Sequence, residues 1–142
     1  SKCPVLTIKQ HNPNFDIQNI VLASDFREDS EEFYNKFIQF TDMFDAHIHL
    51  LKVNTALNFD TTKKSTKLLE DFIIKYKLKN SSIYIYNDIS EEDGILNFSN
   101  DINADLIAIG THGRTGIAHL VNGSLAESVI NHAARPILSI KL

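Results

Sequence analysis

The chain has 142 residues, 43% hydrophobic and 23% charged, with a net charge of −4. That length suits one domain with a substantial core. The acidic balance and the lack of a Lys/Arg block argue against a nucleic-acid surface. No apolar run reaches the length needed to cross a membrane. The single cysteine, Cys3, excludes an internal disulfide and points to a reducing compartment, as in the cytoplasm.

In chain order, Val5-Leu6-Thr7-Ile8 is a short β-rich run after Pro4, and residues 10–14 are polar and broken by Pro13. Ile20-Val21-Leu22-Ala23 has the continuous apolar character of a buried strand and ends at Ser24-Asp25. Asp29 or Ser30 is placed to cap a following helix, on which Phe33, Phe37, Phe40 and Phe44 recur at helical spacing as a core stripe. Residues 48–53 form the next strand. His47 and His49 share one of its faces without an acidic or cysteine partner at metal-site spacing, so a structural role is favoured over metal binding.

A helix is expected over 67–78, with Leu68, Leu69, Phe72, Ile73 and Tyr76 on its inner face, and a strand over 82–86. Ser90 with Asp93 reads as the cap of a helix reaching about Ile102, in which Gly94 is a weak spot. A strand follows over 105–109. A further helix opens at Ser124 and ends near His132, and Pro136 leads into a last strand over 137–140.

Strands and helices therefore alternate from residue 17 onward. That order implies an α/β fold, a doubly wound parallel sheet of five strands with helices on both faces. Ligands in such sheets bind at the carboxyl ends of strands, where the strand order reverses. With the strands counted from residue 20, an order of 3-2-1-4-5 makes the strand ending at Asp25 and the strand ending at Gly110 neighbours there. The second of these runs into Gly110-x-x-Gly113-x9-Gly123-Ser124. Glycines let a backbone approach a ligand. Ser124 with Glu127 makes a capping box that opens a helix, and free N–H groups at a helix start suit a phosphate. Tight turns alone are the simpler reading of the same glycines.

This signature resembles the ATP-binding motif of the universal stress protein family. The resemblance extends to residues 20–26 as the family's first strand with its acidic end, to HIHLLKV (47–53) as its second, and to RPILSI (135–140) as its closing strand. It implies an adenine-nucleotide site, for ATP or its products ADP and AMP, with Mg²⁺ as a candidate companion of a triphosphate. Adenine would lie against the backbone of Val53 and the carboxylate of Asp25, ribose near Ile109 and Gly110. The phosphates would rest on Gly113, Gly123, Ser124 and the amide of Leu125, with Arg114 reaching the terminal one. It also implies dimerisation through the closing strand, either as a homodimer or within a tandem chain.

Catalysis is less well served. Phosphoryl transfer needs a positioned base or water and metal clamps; the motif supplies Ser124 and Arg114 but no evident base, and no Walker A pattern occurs. A nucleotide-binding sensor or regulator of the stress response is therefore favoured. The alternatives are a slow Mg²⁺-dependent ATPase and a domain that serves mainly to dimerise. A response-regulator receiver, for which Asp88, Thr111 and Lys141 could be cited, lacks the second acid after the first strand.

The first residues are not needed by this domain. Cys3-Pro4-Val5-Leu6-Thr7-Ile8-Lys9 repeats Arg135-Pro136-Ile137-Leu138-Ser139-Ile140-Lys141 almost position for position. The expected organisation is a closing strand left from a preceding domain (1–9), a linker (10–16) and the universal stress protein domain (17–142). The strand over 5–9 should then lie antiparallel beside 137–141, in its own chain or in a partner.

Overall fold

The computed structural model describes residues 4–7, 16–24, 26, 31–110 and 137–140. The described elements are β1 (Pro4–Thr7), β2 (Asn19–Ala23), α1 (Glu31–Asp42), β3 (His47–Asn54), α2 (Thr62–Tyr76), β4 (Ser81–Asn87), α3 (Glu91–Asp101), β5 (Leu106–Gly110) and β6 (Ile137–Ile140). One sheet holds these strands in the order β1-β6-β5-β2-β3-β4. The five from β2 to β6 run parallel in the expected order. The sheet nevertheless has six strands rather than five, because β1 adds to the β6 edge antiparallel. That addition is the pairing the internal repeat predicts. The expected linker over 10–16, the caps Asp29 and Ser30, and the helix from Ser124 to His132 fall wholly or mainly outside the described residues.

The two faces of the sheet follow from the alternation of side chains along each strand. Ile20, Leu22, Ile48 and Leu50 pack on one face with Tyr34 and Phe37 of α1 and Leu69 and Phe72 of α2. Val21, Ala23, Leu51, Val53, Ile107 and Ile109 pack on the other with Ile95 and Phe98 of α3. Each Val, Leu, Ile or Phe side chain so removed from water stabilises the fold by about 1.5–3 kcal/mol. Within the first layer Phe72 meets Tyr34 edge-on at 4.7 Å and Phe26 at 5.1 Å. Of the phenylalanine stripe, Phe37 is fully buried, and Phe40 and Phe44 are partly buried against the same cluster. Phe44 lies beyond the end of α1, with its ring 5.1 Å from Phe40.

Two helix boundaries differ from expectation for local reasons. Helix α2 begins at Thr62, not 67, because Thr61 is its N-cap and accepts from the Lys64 backbone N–H. The polar turn that follows carries only Ser65 inward, so the apolar period starts late. The helix ends at Tyr76, since Lys77 adopts a left-handed conformation (φ 52°) that closes it. Leu78, beyond the end, donates its backbone N–H to the Ile73 carbonyl at 3.1 Å and packs on the core. This is the hydrophobic contact that accompanies such caps.

Gly94 also has a different role from the one its helix propensity suggests. It is buried, and a Cβ built there would stand 2.5 Å from Cγ1 and 2.9 Å from Cγ2 of Val53. The missing side chain is what lets α3 sit close against the end of β3.

Candidate functional site

The order of strands reverses between β2 and β5. From β2 the chain passes through α1 to β3 on one side, while β5 and β6 lie on the other. Ala23 is paired with Leu51 of β3 and with Ile109 of β5, so the carboxyl ends of three strands lie side by side. Val53, Ile109 and Gly110 therefore flank the end of β2. Val53 and Ile109 are buried, which leaves backbone rather than side chain as the surface a ligand would meet. Asp25, Gly113, Arg114, Gly123, Ser124 and Leu125 lie outside the described residues.

Around this edge the backbone is firmly held. The N–H of Ser24 donates to the Leu51 carbonyl at 3.3 Å, extending the β2·β3 ladder. The buried Ser24 hydroxyl accepts the Phe26 N–H at 3.0 Å and shares a 2.9 Å hydrogen bond with the Tyr34 hydroxyl. Phe26 itself has a positive φ of 58°. A hydroxyl accepting from the amide two residues on stabilises such a turn locally. The chain thus turns sharply after β2, at the point where Asp25 is expected to act.

A second group of residues at this edge was not anticipated from the sequence. Lys52 lies on the same face as Ile48 and Leu50 and is 1% exposed. Its ammonium reaches the Asp60 carboxylate at 3.0 Å and donates to Asn54 Oδ1 at 3.1 Å. The other Asp60 oxygen takes Lys64 at 3.2 Å. Asn54 closes the group, donating to the Asp60 carbonyl at 3.3 Å and accepting the Asp60 N–H at 3.4 Å. Buried charge is tolerated only when it is paired and hydrogen-bonded. The result is to pin the loop between Asn54 and Thr61 to the strand that carries Val53. The signal was a lysine at an inward position of an apolar strand, which demands a carboxylate somewhere in the fold.

The histidines stand at the opposite end of β3. Their rings lie 4.5 Å apart on one face, as their spacing predicts. His47 bonds to Asn80 and to the Ser82 hydroxyl, and His49 Nε2 bonds to Asn19 Oδ1 at 3.1 Å. Burial, and secondarily the neighbouring His47, holds the His49 pKa below its ordinary value. Nδ1 of His49 is buried without a partner among the described residues. The histidines bind the starts of β2, β3 and β4 together. A cavity of about 350 Å³ near this end, lined by Thr41, Asp42, Asp45, Tyr76, Lys77 and Asn80 among others, shares no residue with the strand-end site. Among the described residues no helix is long and apolar enough to cross a membrane.

Comparison with known proteins agrees with this architecture. The model of the universal stress protein family matches residues 16–141. A universal stress protein of Methanocaldococcus jannaschii is 27% identical over 139 residues, covering 87% of this chain and 82% of its own. Among solved structures, a universal stress protein in complex with cAMP superposes with a TM-score of 0.67 at 16% identity, over 88% of this chain and 97% of that one. A universal stress protein from Archaeoglobus fulgidus in complex with dAMP gives 0.61 at 20% identity, over 87% and 98%. Another Archaeoglobus fulgidus universal stress protein gives 0.71 at 24% identity, over 99% of this chain but 50% of that chain.

Proposed function

The chain belongs to the universal stress protein family, and on that premise we propose that it binds an adenine nucleotide at the carboxyl ends of β2, β3 and β5, as a sensor or regulator of the stress response. The observation that carries this reading is the reversal of strand order between β2 and β5, since open α/β sheets bind ligands at that point. The glycine signature that leaves β5 begins there. The complexes of family members with cAMP and dAMP support an adenine ligand.

In this reading the adenine ring packs on the Val53 backbone and is held by Asp25, with the ribose beside Ile109 and Gly110. Gly113, Gly123, Ser124 and the Leu125 amide cradle the phosphates, and Arg114 reaches the last of them. Mg²⁺ would supply charge neutralisation for a triphosphate. The Lys52–Asp60–Asn54 group keeps the Val53 strand end rigid, which favours binding by lowering its ordering cost.

Calorimetric titration with ATP and AMP is the test. Saturable binding is expected, and it should be lost in Gly123→Val, where a branched side chain fills the phosphate space. Undiminished binding by a folded Gly123→Val protein would remove the site assignment. ATP turnover with Mg²⁺ is expected to stay well below the ordinary enzyme range of about 1 per second and above, because the sequence of the motif offers no evident base.

A further inference from the structure

We infer that the cavity at the amino end of the sheet is a second ligand site, one that takes a small zwitterion with an apolar side chain, an α-amino acid or a dipeptide. The inference is independent of nucleotide binding, since the cavity shares no residue with the strand-end site. Its volume of about 350 Å³ lies at the small end of the range for ligand pockets, about 300–1,000 Å³. It sits between the turn that follows α1 and the turn that follows α2.

The lining is sorted by charge. Asp42 and Asp45 come from the α1 side, Lys77 and Lys79 from the α2 side, and Ala46, Ile48 and Leu78 supply apolar surface. The four charged side chains are exposed, and none makes an ion pair or side-chain hydrogen bond with another described residue. By contrast Lys36, Lys52, Lys64, Lys67 and Lys75 all reach carboxylates. Asn80, also on the lining, has Oδ1 bonded to His47 and Nδ2 without a partner among the described residues. A molecule with both an ammonium and a carboxylate satisfies the two sides together through charge-assisted hydrogen bonds, while its side chain covers the apolar surface. A simple cation or anion would satisfy one side and leave the other unpaired.

The backbone gives a second, independent observation. Asp45 and Lys77 both hold left-handed conformations, φ 51° and 52°, in the turns that close α1 and α2. Glycine is the residue such turns favour, yet each position carries a charged side chain, of opposite sign, on the same cavity. Asp42 and Asp45 also stand at the negative end of the α1 dipole, and α1 has no basic residue in its last turn to offset them. Local stability favours neither choice. A ligand's ammonium group, however, is drawn to that end by the carboxylates and the dipole together.

Calorimetric titration of the intact chain with L-leucine and with L-leucyl-L-leucine tests the site. Saturable binding of at least one is expected, and the tighter of the two distinguishes a free amino acid from a peptide as the ligand. The analogues 3-methylbutylamine and 4-methylpentanoate keep the branched chain with one charge each, and should bind at least about tenfold more weakly. Asp45→Gly and Lys77→Gly each remove a charge where the backbone favours glycine, so both variants should unfold at temperatures no lower than the parent. They should nevertheless bind the zwitterion at least about tenfold more weakly. Lys79→Gln, at a position with no backbone constraint, should weaken binding in the same direction. No saturable heat from either zwitterion at up to about 10 mM would overturn the site. So would a singly charged analogue binding as tightly, or full affinity in either glycine variant.

Discussion

The two ends of β3 solve the same problem in opposite ways. Each places polar side chains inside a parallel sheet whose central strands are otherwise apolar. At the amino end His47 and His49 meet neutral partners, Asn80, Ser82 and Asn19, and burial disfavours a charge on His49. At the carboxyl end Lys52 meets a carboxylate and an amide, with Lys64 on the far side of the carboxylate. A neutral imidazole can stay buried with one hydrogen bond, whereas an ammonium needs its counter-charge within reach. The difference leaves the amino end a joint between strands and makes the carboxyl end, beside the proposed site, the electrostatically committed one.

The largest effect should come from breaking that commitment. Asp60→Ala strands a buried ammonium and should cost about 3–5 kcal/mol in urea unfolding. The double variant Lys52→Met/Asp60→Leu should recover most of the loss, because removing both charges also removes their desolvation cost. Equal losses in the single and double variants would show that the loop, and not the ion pair, holds this end.

A smaller loss is expected where α3 touches the same strand end. Gly94→Ala gains helix propensity but drives a Cβ into the Val53 methyls, and such overpacking costs about 1–3 kcal/mol. Val53→Ala in the same molecule should relieve it, so that the double variant is less destabilised than the sum of the singles in a mutant cycle.

At the amino end of the sheet the expected changes are milder. Lys77→Gly replaces a residue held at positive φ, and thermal unfolding should show a gain of about 0.5–1 kcal/mol. His49 should produce a gentle dependence on pH. Its folded pKa lies below the ordinary 6.5, so the unfolded chain binds the proton more readily. Stability is then full above about pH 6.5 and declines as the pH falls toward the folded value. His49→Phe should flatten that part of the profile, and an unchanged slope would assign it to another group.

Much of this architecture is legible in the residues themselves. Ile20 to Ala23 and Leu106 to Ile109 are apolar on both faces, which a strand tolerates only when covered on both sides. Alternation with amphipathic helices then implies the parallel sheet. Ser90 with Asp93 marks the start of α3 because a cap is a local contact, as the observed hydrogen bond shows. The start of α2 is not legible for the complementary reason: Thr61 is also a capping residue, but the turn after it buries no apolar residue and gives no period to read. Of the proposed site, the glycine spacing could be seen in advance, as could the acidic end of β2. The Lys52 group could not.

By itself, then, the sequence determined what depends on short separations: the strand and helix periods, the caps, the glycine signature and the repeat joining the first residues to the last. The tertiary structure decided what depends on residues brought together from distant places. It put Gly94 against Val53, where the absence of a side chain matters more than helix propensity. It delivered Asp60 to Lys52, eight positions apart in the chain but joined only once the loop folds back over the strand. It also set Leu6 opposite Leu138. Local patterns are set by steric and hydrogen-bonding preferences of neighbouring residues, whereas a partner's identity across a fold is chosen by packing and by the cost of leaving a buried charge unpaired.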